Sequence, residues 1–202
     1  YGKAVYDHKE INASLKVLKK KSLTLIDGPS VKDLENKIAK SFGKKYGLMV
    51  NSGSSALLLA IESLNLPKGS EVITPSLTFS TTISYIIKNG LIPVFVDVKK
   101  DTYCIDLSQV EKKITKKTRV ILAPHLMGNI VNWNILKKIK SKYKNIIFIE
   151  DSADTIGSSI NNKPSGLFTD ISITSFYGSH VINCAGNGGM VCFNDKKLYN
   201  KA

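Results

Sequence analysis

Residues 119–151 read RVILAPHLMGNIVNWNILKKIKSKYKNIIFIED. Residues 119–123 are an apolar run stopped by Pro124, too short for a helix and therefore a strand. Residues 131–142 alternate apolar and lysine-rich positions at helical spacing. Residues 146–150 are a second apolar run that ends on acids. Strands that are apolar throughout, separated by an amphipathic helix, describe a sheet covered on both faces with mostly parallel strands.

The same alternation extends in both directions. Upstream, the pattern predicts helices over 8–20, with Ile11, Leu15 and Leu18 on one face, and over 31–44, with Val31, Leu34, Ile38 and Phe42 repeating and Ser30 as the N-cap. Then come a strand over 47–50, a helix over 55–64, a strand over 71–74, a helix over 80–88, a strand over 92–96 and a helix over 108–114. Downstream, strands are expected over 171–175 and 190–193, and residues 195–199 begin a further helix that stops with the chain. The expected fold is α/β, a three-layer α/β/α arrangement around a mostly parallel sheet. Residues 1–27 are expected to form an N-terminal helical segment and residues 28–202 one large domain.

The chain has 202 residues, 43% hydrophobic and 22% charged, with a formal net charge of +13. That composition is ordinary for a soluble domain with a real core. Nearly all the positive charge is lysine, and Arg119 is the sole arginine. Readers of nucleic acid lean on arginine, so nucleic acid is not an expected partner. Lysines such as Lys16, Lys19, Lys112, Lys137 and Lys140 read as solvated helix faces, or more weakly as attraction for an anionic substrate. No apolar run reaches membrane-spanning length and no signal-peptide pattern opens the chain, so a cytoplasmic protein is expected. Cys104, Cys184 and Cys192 are an odd number without CxxC spacing, which argues against a metal or iron–sulfur site in this stretch. Cys104 and Cys192 read as small buried residues.

In an open parallel sheet, ligands sit at the carboxyl ends of strands, and four short segments fall there. Asn51-Ser52-Gly53-Ser54-Ser55-Ala56 is a hydroxyl-rich turn at a helix N-terminus, able to hold a phosphate through free N–H groups or to act as a plain cap. Phe79 follows the next strand; it could lie on a heteroaromatic ring, though a lone phenylalanine is more often core. Asp151 and Asp154 follow the strand over 146–150. They either cap a helix or face a cationic partner such as a protonated ring nitrogen. Ser175 closes its strand and leads through Phe176 and Tyr177 to His180, an imidazole able to move protons near neutral pH. His125 also follows a strand, and His8 reads as a surface residue. No catalytic-triad or metal spacing is evident.

The order of these segments resembles the DegT-type family of sugar aminotransferases, which are fold-type I pyridoxal phosphate enzymes. Gly69-Ser70-Glu71-Val72-Ile73-Thr74-Pro75, Pro93-Val94-Phe95-Val96-Asp97-Val98 and Thr102-Tyr103-Cys104-Ile105-Asp106 carry the likeness further. Within the family, Ser175-Phe176-Tyr177 with His180, His125 with Gly128-Asn129, and Asp154 look like the 3-dehydratases of CDP-4-keto-6-deoxyglucose and GDP-4-keto-6-deoxymannose. His180 stands where the aminotransferases carry their Schiff-base lysine.

The resemblance implies pyridoxamine 5′-phosphate, or its pyridoxal form, as a noncovalent cofactor. Ser54, Ser55 and Ser175 would hold its phosphate, Phe79 would stack on the ring, and Asp151 would pair with the ring nitrogen. Asp154 would lie near the ring hydroxyl, His180 would be the catalytic base, and His125 would line the site wall. It also implies a nucleotide-sugar substrate, a homodimer, a reductase partner in the reductive branch, and a smaller C-terminal domain absent here. The chain departs from the dehydratase pattern at Gly178-Ser179-His180-Val181 and Gly186-Asn187-Gly188-Gly189, which points to a separate branch. Two other readings stand beside it. One is an aminotransferase whose lysine role has moved, with Lys163 as a candidate in a hairpin away from the strand ends. The other is a noncatalytic regulatory relative.

Overall fold

The computed structural model describes residues 5–20 and 28–202, and within them all side chains but those of residues 134 and 136. In chain order the elements are α1 (His8–Lys19), α2 (Pro29–Ser41), β1 (Tyr46–Val50), α3 (Gly53–Ser63), β2 (Glu71–Pro75), α4 (Ser80–Lys88) and β3 (Ile92–Val96). They continue with α5 (Leu107–Lys113), β4 (Thr118–Pro124), α6 (Trp133–Lys142), β5 (Ile147–Asp151), β6 (Ser159–Ile160), β7 (Lys163–Pro164), β8 (Ile171–Ser175), β9 (Gly189–Phe193) and α7 (Lys196–Lys201). Short 3-10 turns occupy Leu126–Gly128 and Ser165–Phe168.

Seven strands form one sheet in the order β1-β9-β8-β5-β4-β2-β3. The pairs β2–β3, β2–β4, β4–β5 and β5–β8 are parallel. β9 is antiparallel to both β8 and β1, so it alone runs against the rest. β6 and β7 form a separate small ribbon.

The strands read as continuously apolar because both faces are covered. Val72, Leu122, Ile149 and Val191 pack with Ala56, Leu57 and Ala60 of α3 and Ile86 of α4. Their chain neighbours Ile73, Ile121 and Phe148 pack on the other face with Val110 of α5 and Trp133 and Ile139 of α6. Met190 joins Ile38, Ala39 and Phe42 of α2. Adjacent strand residues point to opposite faces, and each face finds its helices: the expected three layers.

Two local expectations change. α2 is capped by Gly28 and starts at Pro29 rather than being capped by Ser30. Proline suits the first helical position because its missing N–H would have no partner there and its φ is already helical. α1 forms where expected, with a capping box between Asp7 and Glu10. Its apolar stripe is not buried, however: Ile11, Leu15 and Leu18 are 49%, 41% and 62% exposed. The part of the 1–27 segment over residues 1–4 and 21–27 lies outside the described residues. Among those residues, no helix is long and apolar enough to cross a membrane.

A buried polar cluster ties the middle of the sheet. Glu150 on β5 is fully buried and accepts from the Ser172 hydroxyl on β8. His125, just past β4, places Nε2 2.8 Å from Glu150 Oε2, while the Val131 N–H donates to its Nδ1 at 2.9 Å. With Nδ1 accepting, Nε2 carries the proton and donates to the carboxylate. Burial alone would push the Glu150 carboxyl up, but His125 and the Ser172 and Ser165 hydroxyls outweigh it and hold it low. Lys44 is buried beneath, donating to the carbonyls of Gly166 and Thr169 at 2.7 and 2.5 Å, and burial pulls its ammonium down to about 8.

The tightest backbone approach lies at the start of β9. A Cβ on Gly189 would fall 2.2 Å from both the carbonyl carbon and oxygen of Ser52. Gly188 is different: the nearest atoms to a Cβ there belong to side chains, Cys184 Sγ and Met49 Cε at 3.0 Å and Cys184 Cβ at 3.1 Å, rather than to backbone. Gly189→Ala is therefore expected to destabilise the fold by about 3 kcal/mol, as overpacking against rigid backbone does, and Gly188→Ala by less than about 1 kcal/mol. Urea unfolding of the two variants checks this.

Candidate functional site

The sheet register brings the site residues to one end. Val50 pairs with Gly189 across β1–β9, and Gly189 pairs with Ser175 across β9–β8. Two strands over, Asp151 pairs with Pro124 of β4 and Ile173 of β8. The carboxyl ends of β1, β4, β5 and β8 therefore meet along one edge of the sheet.

The first cluster gathers at the N-terminus of α3. Ser52 caps the helix by accepting from the Ser55 N–H at 3.1 Å. The other N–H groups of a first helical turn have no partner within the helix, so those of Gly53 and Ser54 are left for a ligand. Gly53 sits so close to β8 that a Cβ there would stand 2.7 Å from Ser175 Cβ. The Ser54 hydroxyl reaches Thr81 of α4 at 3.3 Å. Ser54 and Ser55 of α3 thus come together with Ser175 of β8, two separate stretches of chain, half-buried around one helix terminus. Hydroxyls and N–H groups at the positive end of a helix dipole suit a phosphate. Phe79 is the N-cap residue of α4, two positions before Thr81, and its side chain is 65% exposed. It is not a core residue.

The second cluster is acidic and holds the imidazole. Asp151 is 9% exposed, and its Oδ1 accepts from the Ala153 N–H at 3.0 Å. Burial drives its carboxyl up to about 6; the Ala153 hydrogen bond opposes this and the nearby Asp154 charge adds to it. The Ala153 hydrogen bond and the more distant His125 do not offset its burial, whereas the His125 and serine hydrogen bonds of Glu150, the preceding residue, outweigh burial there. Asp154 accepts from the Met127 N–H at 3.0 Å through Oδ2 and faces His180 Nδ1 at 3.4 Å through Oδ1. A turn bond from the His180 N–H to the Tyr177 carbonyl, at 2.9 Å, folds the chain after β8 back over this point. The Tyr177 ring lies edge-on to the imidazole, 6.1 Å between centroids.

The structure moves His125 out of the site and places Lys163 outside it, in a hairpin as expected. His125 is not on its wall: it is 1% exposed and both ring nitrogens are engaged in the core by Val131 and Glu150. A strand end can turn its side chain inward as readily as out, and nothing in the spacing distinguishes the two. Lys163 lies on β7, in the separate exposed ribbon. His8 is exposed as expected, and Cys104 and Cys192 are buried free thiols, while Cys184 is exposed. The sequence reading missed Thr81 and the Met127 N–H. A backbone donor leaves no trace in residue type, and Thr81 gains a role only because α4 packs beside α3.

Residues 5–202 match the DegT/DnrJ/EryC1/StrS aminotransferase family. The chain is 38% identical over 174 residues to GDP-perosamine synthase of Escherichia coli O157:H7, covering 86% of this chain and 47% of that protein. It is 36% identical over 203 residues to GDP-4-keto-6-deoxy-D-mannose 3-dehydratase of Yersinia pseudotuberculosis, covering 97% of this chain and 50% of that protein. A solved structure of the Escherichia coli GDP-4-keto-6-deoxy-D-mannose-3-dehydratase with bound hydrated PLP superposes with a TM-score of 0.91 at 35% identity, covering 98% of this chain and 52% of that one. The chain spans about half the length of the curated relatives it matches.

The raised Asp151 carboxyl has a direct consequence for stability. Its folded value of about 6 lies above the unfolded 3.8, so the fold favours the protonated form. The stability is fully present below pH 3.8 and is lost as pH rises through about 6. Asp151→Asn is expected to stabilise the cofactor-free protein at pH 8 by up to ~3 kcal/mol and to change little near pH 4. Chemical denaturation at the two pH values measures the difference.

Proposed function

The chain belongs to the DegT/DnrJ/EryC1/StrS aminotransferase family, and from that premise we propose that it is the cofactor-binding part of a sugar 3-dehydratase. Its reaction removes the C3 hydroxyl of a nucleotide-linked 4-keto-6-deoxy sugar with the help of pyridoxamine 5′-phosphate. The family is pyridoxal phosphate-dependent. The observation that carries the reading is the group offered past the end of β8. It is the imidazole of His180, held against Asp154, and an imidazole cannot form the Schiff base that an aminotransferase needs.

The residues fit the cofactor. The N–H groups of Gly53 and Ser54, with the hydroxyls of Ser54, Ser55 and Ser175, would take its phosphate at the α3 N-terminus. The exposed face of Phe79 would lie on its ring. Asp151 is a buried carboxylate short of a cation, and a protonated ring nitrogen would supply one. Asp154 would stand by the ring hydroxyl. When bound, the pyridoxamine form supplies an amine that condenses with the C4 ketone and a ring that takes up electrons. Asp151 would keep the ring nitrogen charged. His180 would serve as the base that takes a proton beside the amine and, once protonated, as the acid that assists departure of the C3 hydroxyl. General acid–base work of this kind contributes roughly 10²–10⁴-fold in rate.

The same reading carries the remaining parts. They are residues 1–27 as an N-terminal helical segment, residues 28–202 as the cofactor domain, a homodimer in the cytoplasm, and a role in deoxysugar synthesis for surface polysaccharides. A reductase partner belongs with it where the C3 step is reductive. A second reading, a nucleotide-sugar aminotransferase, is favoured by the 38% identity to a perosamine synthase.

The test supplies the protein at its full natural length with pyridoxamine phosphate and a GDP- or CDP-linked 4-keto-6-deoxy sugar. A product lacking the C3 hydroxyl is expected, and an aminosugar formed instead would establish the second reading. His180→Asn should lower turnover by about 100-fold or more. His180→Lys should yield a borohydride-trappable link to pyridoxal phosphate; no trapped link would place position 180 away from the cofactor aldehyde.

A further inference from the structure

Three neighbouring strands of the sheet, β4, β5 and β8, each end in a turn, and one group from each turn meets the next. After β4, Met127 takes a left-handed backbone conformation at φ 55°, ψ 29°, and points its N–H at Asp154 Oδ2, 3.0 Å away. After β5, Asp154 turns its other oxygen, Oδ1, to His180 Nδ1 at 3.4 Å. After β8, a turn bond from the His180 N–H to the Tyr177 carbonyl fixes the backbone that carries the imidazole. The Asp154 carboxylate is thus gripped at one oxygen and aimed with the other.

We propose that Asp154 is a positioning residue for His180: it accepts the Nδ1–H, fixes the ring in that tautomer, and leaves the Nε2 lone pair free to receive the substrate-derived proton. The two groups stand at ion-pair distance, 3.4 Å; a carboxylate has no proton to give, so in the hydrogen bond proposed between them the ring nitrogen is the donor. The Met127 N–H blocks rotation of the carboxylate, and the left-handed turn is what delivers that N–H. The exchange is balanced: Nε2 gains the proton, Nδ1 keeps its own, and the imidazolium that results lies against the Asp154 charge. The proposal rests on His180 being the base of the reaction above, and it assigns Asp154 a task besides lying near the ring hydroxyl.

The anchor at Met127 makes the test directional. In Asp154→Asn, the Met127 N–H selects the amide oxygen, so the amide NH₂ faces Nδ1 and donates to it. The tautomer inverts and Nε2 becomes protonated. In Asp154→Ala, neither tautomer is imposed. The first readout needs no cofactor. Nitrogen-15 spectra of the labelled protein, with His180 signals assigned by their loss in His180→Gln, should show a protonated Nδ1 and a bare Nε2 in the wild type at a pH where the ring is neutral. Asp154→Asn should show the reverse.

The second readout is kinetic. Asp154→Asn should lose kcat, measured at saturating cofactor and substrate, by about 100-fold or more, a larger loss than Asp154→Ala. A residue that merely carries structure or charge would show the opposite order, because asparagine is the closer mimic. A wild-type ring protonated at Nε2, an unchanged tautomer in Asp154→Asn, or a greater loss in Asp154→Ala overturns the proposal. If the full-length wild type removes no C3 hydroxyl, the dehydratase reading falls, while the nitrogen spectra still decide whether Asp154 sets the ring.

Discussion

The backbone of Ser52 lies against Gly189 with no space for a Cβ between them, and the site depends on that contact. Because Val50, Gly189 and Ser175 share one row of the sheet, closing this gap seats the first turn of α3 on the end of β8. Gly53 completes the fit against Ser175. The reversed strand β9 is the means: it sits between β1 and β8, so three strand ends come together that a wholly parallel order would leave in separate crossovers. A helix terminus with unpaired N–H groups is thereby set beside hydroxyls from α3 and β8.

Two consecutive acids show how burial divides structural from chemical roles. Glu150 points into the core, where His125, Ser172 and Thr169 satisfy it, and it joins β4 to β8 through β5. Removing one partner of such a buried pair costs on the order of 3–5 kcal/mol, because the other charge is left uncompensated. Asp151 takes the opposite side of the pleat and finds one N–H. Its raised carboxyl is the cost of holding an acid ready for a cation that the chain does not itself provide. The left-handed Met127 is a second such cost, on the order of 1–2 kcal/mol for a residue with a Cβ. Both costs fall at turns that border the site, and a bound cation would offset the one at Asp151.

Much of the fold was legible because burial on both faces of a sheet writes itself as continuous apolar runs. Residues 119–123, 146–150 and 171–175 fall on β4, β5 and β8 for that reason. Helix ends were less legible. Ser30 has the side chain of a cap, but Pro29 decides the start of α2 by its backbone. The stripe Ile11, Leu15 and Leu18 has helical spacing and forms a helix, yet spacing does not say what covers a face. Phe79 and His125 show the same limit at the site: residue type alone favours the core for a lone phenylalanine, yet Phe79 is exposed, as its expected place against a ring requires, while His125, expected on the wall, is buried.

By itself the sequence determined the layer architecture, the strand–helix alternation and the short segments at strand ends that bear the chemistry. These depend on periodicity and on residue type, which are local properties of the chain. Tertiary structure alone decided which of those segments meet. The pairing of Asp154 with His180, the grip of the Met127 N–H and the withdrawal of His125 to Glu150 each join residues from different strands. Their partners are chosen by strand order and register, and those follow from how the whole sheet buries its two faces.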